Sequence, residues 1–179
     1  MRRSILSLLT GLITALTAPV GLAAEASLAV GNPAPAFTLP DQQGEPRSLA
    51  DYRGDWVVLY FYPKDDTPGC TTEACSFRDN INRLIAQDAV VLGVSMDDVA
   101  SHADFAAKYE LPFPLLADPE GEVVERYGAL SDFLVVKFAK RQTFIIDPAG
   151  KIAKIYRKVD PDEHVRDVLA DLKALRESS

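Results

Sequence analysis

The stretch WVVLYFYPKDDTPGCTTEACSFRDN, Trp56 to Asn80, sets an apolar run beside a helical pattern with a Pro-Gly joint between them. Trp56 to Tyr62 is continuous, β-branched and aromatic, the composition of a strand buried on both faces. Past the joint, Cys70, Ala74, Phe77, Ile81, Leu84 and Ile85 recur at helical spacing. On a wheel of ~100° per residue, the five that follow Cys70 fall within about 60° of it. Cys70 therefore opens the stripe that faces the sheet. Cys75 lies about 140° round, near Asp79 and Asn82 on the polar side.

Working outward, "VVLGVS" (Val90–Ser95) and "TFIID" (Thr143–Asp147) read as two more buried strands. "KIAKIYR" alternates like an edge or half-exposed strand after a Pro-Ala-Gly turn. Phe37 and Leu39 alternate ahead of the turn residues Asp41 to Pro46, which predicts a short hairpin. Phe105, Ala106 and Tyr109 share a helical face, with Asp97 and Asp98 as candidate N-caps. Val165, Val168, Leu169, Leu172 and Leu175 share another, opened by Asp160-Pro161. Strands alternating with helices, then a hairpin and a last helix, predict an α/β sandwich around a mixed sheet flanked by helices. The order fits a thioredoxin-like layout, although periodicity alone does not select it over other α/β folds.

Residues 1–26 stand apart from this pattern. Arg2 and Arg3 precede an uncharged, mostly apolar run from Ser4 to Ala24, broken near its end by Pro19 and Gly21 and closed by small residues. That order is the signature of a secretory signal peptide, with cleavage after Ala24 or Ala26. The alternative is a retained membrane anchor, because the run approaches the ~20 residues of a spanning helix. Residues 27–179 then form one domain, long enough to bury a sizeable core. With 19 basic and 26 acidic residues and a net charge of −7, there is no electrostatic case for nucleic acid or anionic membrane surfaces. Export to a bacterial periplasm or a thylakoid-type lumen also places the chain where disulfides persist.

Cys70 and Cys75 are the chain's two cysteines, too few for a disulfide scaffold. A structural zinc site would need both His102 and His164, which lack ligand spacing. Five positions apart on an intact helix, the two Cα atoms lie roughly 8.7 Å apart. A disulfide needs less than ~7 Å, so pairing requires the first turns to unwind. Thiols that are separate when reduced and meet after local unfolding make better redox partners than a static staple. Cys70 also sits at a helix N-terminus, where unpaired N–H groups and the macrodipole favour an anion. Pro68-Gly69 lets the backbone approach whatever binds there. Asp65, Asp66 and Glu73 oppose an anion, with Glu73 read as a helix-capping residue. Each feature also has a plainer reading: Cys70 as a small hydrophobe, Thr67 as a turn residue, Pro63 as a strand terminator. His102 is expected to pack against its helix neighbours, and His164 to be solvated. Spacing does not choose a thiolate partner among Arg78, Arg126, Arg141 and Arg157.

Pro63, Thr67 and Cys70 match the peroxiredoxin pattern P-x-x-x-T-x-x-C. The longer "FYPKDDTPGCTTEAC" resembles the bacterioferritin comigratory protein or peroxiredoxin Q subfamily. "RQTFIID" (Arg141–Asp147) and "LPFPLLADPEGEVVERYG" are similar to its later segments, so the likeness runs from about Ala29 to Leu175. The resemblance implies a thioredoxin fold and reduction of hydrogen peroxide or alkyl hydroperoxides. It implies Cys70 as the peroxidatic nucleophile, Thr67 and Arg141 as groups that orient the thiolate and the peroxide, and Pro63 as a shield against water. Cys75 would be the resolving cysteine, and the disulfide would be reduced by thioredoxin or, outside the cytosol, a thioredoxin-like dithiol carrier. It implies no metal, haem or flavin cofactor, and a monomer suffices. The competing readings are an exported thiol–disulfide oxidoreductase, for which C-x-x-C would be expected at the helix start, and a binding domain with inert cysteines. "ALSDFLVVKFAK" (Ala129–Lys140) matches no motif and is read as a pocket wall or docking surface.

Overall fold

The computed structural model describes residues 28–133 and 136–178; the expected signal peptide, residues 1–26, lies outside them. A five-stranded sheet runs through the middle. Its strands are β3 (Trp56–Phe61), β4 (Ala89–Ser95), β5 (Leu115–Ala117), β8 (Gln142–Ile146) and β9 (Ile152–Tyr156), in the order β5-β4-β3-β8-β9. β3 pairs in parallel with β4 and antiparallel with β8, so the sheet is mixed. The hairpin β1 (Thr38–Pro40) and β2 (Pro46–Ser48) stands before it, and a second hairpin, β6 (Leu130–Phe133) and β7 (Val136–Ala139), occupies the stretch without a motif.

β3 shows how the sequence divides the core. Successive strand side chains point to opposite faces. Trp56, Val58, Tyr60 and Tyr62 enter one buried cluster with residues of α1 (Pro68–Asp79), α2 (Ile81–Ile85), α3 (Val99–Tyr109) and α5 (His164–Glu177). Val57, Leu59 and Phe61 enter the other, with Phe37, Leu39 and residues Val123 and Val124 of α4 (Glu122–Arg126). A strand buried on both faces is what its unbroken apolar run predicts. Opposite Tyr60 in the parallel register stands Gly93. A Cβ there would meet the Tyr60 ring at 2.8 Å, so this glycine is the space in which the ring lies.

Two expectations need correction. The apolar stripe from Ala74 to Ile85 is not one helix: Asn80, at φ −109° and ψ 9°, separates α1 from α2, and Ile85 is 60% exposed. The break turns the stripe, so Leu84 stays buried while Ile85 swings out. Of the two candidate caps, Asp98 bonds the Ser101 N–H at 2.9 Å. Asp97 instead accepts from the Ser95 hydroxyl (2.7 Å) and the Asp65 N–H (2.9 Å), tying the end of β4 to the loop after β3. Asp160-Pro161 lies one turn before α5, with the Asp160 carbonyl accepting the His164 N–H.

Candidate active site

The loop after β3 is fixed by a buried polar cluster. The Tyr62 phenol donates to Asp65 Oδ1 at 2.7 Å, and the Ser101 hydroxyl donates to Asp65 Oδ2 at 2.7 Å. His102, on α3, places Nδ1 2.8 Å from the same Oδ2. Burial, then the neighbouring Tyr60 and Asp65, push the Tyr62 phenol well above its ordinary range, so it stays a donor. His102 is buried as expected, although its Nε2 has no hydrogen-bond partner. The cluster holds Asp65 in place and so sets the direction in which Thr67 and Pro68 start α1.

Thr67 is the N-cap in extended backbone, but its hydroxyl does not cap the helix; it donates to the Lys64 carbonyl at 3.0 Å. Pro68 takes the first helical position, where a missing N–H costs nothing. Cys70 follows in the first turn, only 1% exposed and not joined in a disulfide. Among the four arginines that spacing leaves open, the fold selects Arg141. Its Nη2 donates to Cys70 Sγ at 3.2 Å from the residue just before β8. Arg78 bonds the Tyr109 carbonyl, Arg126 the Ala36 carbonyl, and Arg157 the Gln142 side chain. Gly69 keeps room for the guanidinium: a Cβ there would lie 3.3 Å from Nη2.

Glu73 overturns the capping expectation. It is 0% exposed and bound to Arg141 Nη1, so one guanidinium bridges the sulfur and a buried carboxylate. Burial, partly offset by Arg141, raises the Glu73 pKa to about 7. Its other oxygen, Oε1, has no hydrogen-bond partner and faces His164 Nε2 at 3.8 Å. The expected solvated His164 is therefore wrong as well. It is buried, 2.9 Å from the Thr143 hydroxyl, with its ring edge-on to Phe77 and Tyr156. Burial lowers its pKa to about 4, which keeps it neutral near pH 7. Helix arithmetic holds the signal for Glu73: three residues past Cys70 is about 60° round the wheel, inside the apolar stripe. No local pattern marks His164, because its burial comes from α5 folding across β8 and α1.

Cys75 lies on the same unbroken helix, half-buried and also free. Pro63, half-buried on the loop, lines a groove of about 460 Å³ with Lys64, Met96, Asp97, Val136, Lys137 and Phe138. The second hairpin thus forms one wall of that groove. Among the described residues, no group of three or more His, Cys, Asp or Glu side chains could hold a metal ion, and no helix is long and apolar enough to cross a membrane.

A buried thiol at a helix start with an arginine on its sulfur is built for attack on a small electrophile. The AhpC/TSA family model matches residues 30–155. Peroxiredoxin Bcp of Bacillus subtilis is 43% identical over 157 residues, covering 84% of this chain and 99% of its own length. The chloroplastic peroxiredoxin Q of Arabidopsis thaliana is 45% identical over 145 residues, covering 80% and 67%. Among solved structures, peroxidoxin BcpB of Mycobacterium tuberculosis superimposes with a TM-score of 0.76 at 38% identity, covering 81% of this chain and 96% of that one. The bacterioferritin comigratory protein of Xanthomonas campestris, studied for alkyl peroxide reduction, gives 0.74 at 36% identity, covering 77% and 90%. The thioredoxin-like mixed sheet and the sequence together establish that the chain belongs to the AhpC/TSA family and is a thiol peroxidase of its Bcp/peroxiredoxin Q group.

Proposed function

We propose that the chain reduces hydrogen peroxide and alkyl hydroperoxides through Cys70 and resolves the product through Cys75. The observation that carries this reading is the 3.2 Å contact from Arg141 to the Cys70 sulfur in the first turn of α1. The thiolate attacks one peroxide oxygen, the O–O bond breaks, and the second oxygen leaves as alcohol or water after taking a proton. Cys70 becomes a sulfenic acid. Arg141 lies where charge builds on the leaving oxygen, the place at which a preorganised donor contributes most. The Thr67 hydroxyl commits its proton to Lys64, which leaves its oxygen free to accept from the peroxide O–H. Pro63 walls the site from water.

In the second step the Cys75 sulfur displaces the hydroxyl, giving the Cys70–Cys75 disulfide and water. α1 must unwind between the two for this to happen, since intact helix geometry holds their Cα atoms about 8.7 Å apart. A dithiol protein of the thioredoxin type then supplies two electrons by exchange. Both cysteines and the residues proposed to act on the peroxide lie in one chain, so a monomer serves for the first two steps. We read residues 1–26 as an export signal, which makes the reductant a carrier outside the cytosol. Mass spectrometry of the N-terminus of the fractionated protein tests that part.

The test of the chemistry is stopped-flow oxidation of the reduced protein by hydrogen peroxide, beside Cys70→Ser and Cys75→Ser, with products identified by mass. Wild type is expected to consume one peroxide and form the disulfide, Cys75→Ser to halt at sulfenic acid, and Cys70→Ser to be inert. A wild type no faster than a free thiol sinks the reading in favour of disulfide exchange.

A further inference from the structure

We infer that Tyr109, the last residue of α3, is a positioning residue for the second step: it grips the chain on both sides of the two cysteines and sets how fast they meet. This rests on the resolving role of Cys75 proposed above. Its phenol donates to Asp66 Oδ1 at 2.6 Å, and its neighbour Lys108 holds the two Asp66 oxygens at 2.9 and 2.6 Å. Asp66 is bent into the left-handed region at φ 54°, immediately before Thr67 and Pro68. The Tyr109 carbonyl accepts from Arg78 Nη1 at 2.7 Å, on the far side of Cys75. Arg78 in turn lies within electrostatic reach of Cys75. One residue of α3 therefore fastens the chain at positions 66 and 78, and both cysteines lie between the two fastenings.

The second step balances as Cys70–SOH plus Cys75–SH giving Cys70–S–S–Cys75 and water. The Cys75 sulfur is oxidised, the sulfenic sulfur is reduced, and the hydroxyl departs with the thiol proton. To reach it, the backbone between the cysteines must leave the helix and close from about 8.7 Å to under ~7 Å between Cα atoms. Phe77 gives no slack: it is fully buried, 4.9 Å from the Tyr60 ring and edge-on to His164. The slack has to come from the N-terminal side, between the buried anchor at Asp65 and the Arg141 contacts to Cys70 and Glu73, where Asp66 is the point held by partners outside the core. Its partners are half-buried or exposed, so their release is far cheaper than drawing Phe77 out of the core.

The experiment separates the two chemical steps in Tyr109→Phe, which removes the phenolic hydrogen bond and keeps both the ring against Phe105 (5.3 Å) and the carbonyl for Arg78. Rapid-quench alkylation with mass analysis reads sulfenic acid and disulfide separately. We expect disulfide formation to quicken by about three- to tenfold, the range for one hydrogen bond to a charged, half-exposed partner. The sulfenic step should stay within about twofold, and the peroxide concentration that drives half of Cys70 to sulfinic acid should rise with the disulfide rate. An unchanged disulfide rate, or both steps slowed alike, overturns the role of Tyr109 while leaving the peroxidase reading intact. A wild type that forms sulfenic acid but never the Cys70–Cys75 disulfide overturns both this role and that of Cys75.

Discussion

The inner and outer faces of α1 are built from different materials. Toward the sheet, Cys70, Glu73, Ala74 and Phe77 are buried, and the one charge there is balanced by Arg141. Toward solvent, Cys75 is half-buried, and the contacts near it run from Arg78 to a carbonyl and from Lys108 and Tyr109 to Asp66. Hydrocarbon packing on the inner face is worth several kcal/mol per large side chain. Hydrogen bonds and ion pairs at the outer face are screened by water and contribute far less. The difference matches what a two-step cycle asks of one helix. In the proposed cycle Cys70 needs a fixed, dry setting for a peroxide, and Cys75 needs a boundary that opens without unfolding the domain.

That contrast is open to direct attack. The strongest blow falls on the inner face: Arg141→Ala should lower the rate constant for peroxide by about 10²–10³-fold, the usual loss for one preorganised donor. Stopped-flow measurement checks it, and Arg141→Lys should recover only part, since an ammonium does not bridge sulfur and carboxylate as the planar fork does. A rate within a few-fold of wild type would mean that the 3.2 Å contact is incidental.

A middle-sized effect belongs to Glu73 and shows as pH dependence. Its folded pKa of about 7 stands above the ordinary 4.5, so the native state binds that proton more tightly, and stability falls as pH rises from about 4.5 to about 7. His164 acts in the opposite sense. Its folded value of about 4 lies below 6.5, so stability rises as pH climbs from about 4 to 6.5. In Glu73→Gln the falling limb should vanish and the His164 rise should stand alone. Thermal unfolding of both proteins from pH 4 to 8 measures this; parallel curves would show that Glu73 titrates as an exposed acid does.

The smallest effect is expected outside. Lys108→Met removes an ion pair whose partners are both about half exposed, and should leave the urea-unfolding midpoint close to that of wild type. A midpoint lowered as far as by a core truncation would erase the distinction between the two faces.

How far the sequence alone reaches follows the same division. The sheet is legible because β3, β4 and β8 carry continuous apolar runs, and the placement of Cys70 on the buried stripe follows from arithmetic on a helix. Thr67, Cys70, Cys75 and Pro63 fall within one short loop-and-helix segment, so local pattern is enough to gather them. Arg141 lies 71 positions from Cys70, and a chain read locally has no means to choose it over three other arginines. His164 and Glu73 were misjudged for one shared reason. Polar residues near a helix start read as solvated or capping, whereas here α1 and α5 turn those positions toward each other and toward β8. The split at Asn80 was hidden because an apolar stripe continues across it at helical spacing.

The near-complete burial of Cys70 also inverts what a chemist would see on labelling the protein. Thiol reagents are commonly taken to rank cysteines by nucleophilicity, yet a thiol 1% exposed admits only what fits between Arg141 and the first turn of α1. Bulky maleimides are therefore expected to mark Cys75 first, and hydrogen peroxide, two heavy atoms across, to reach Cys70. The fold sorts electrophiles by size before it sorts them by reactivity. A stain that lights up this protein in a mixture would then report the outer face of α1, and stay silent about the buried thiol proposed to meet peroxide.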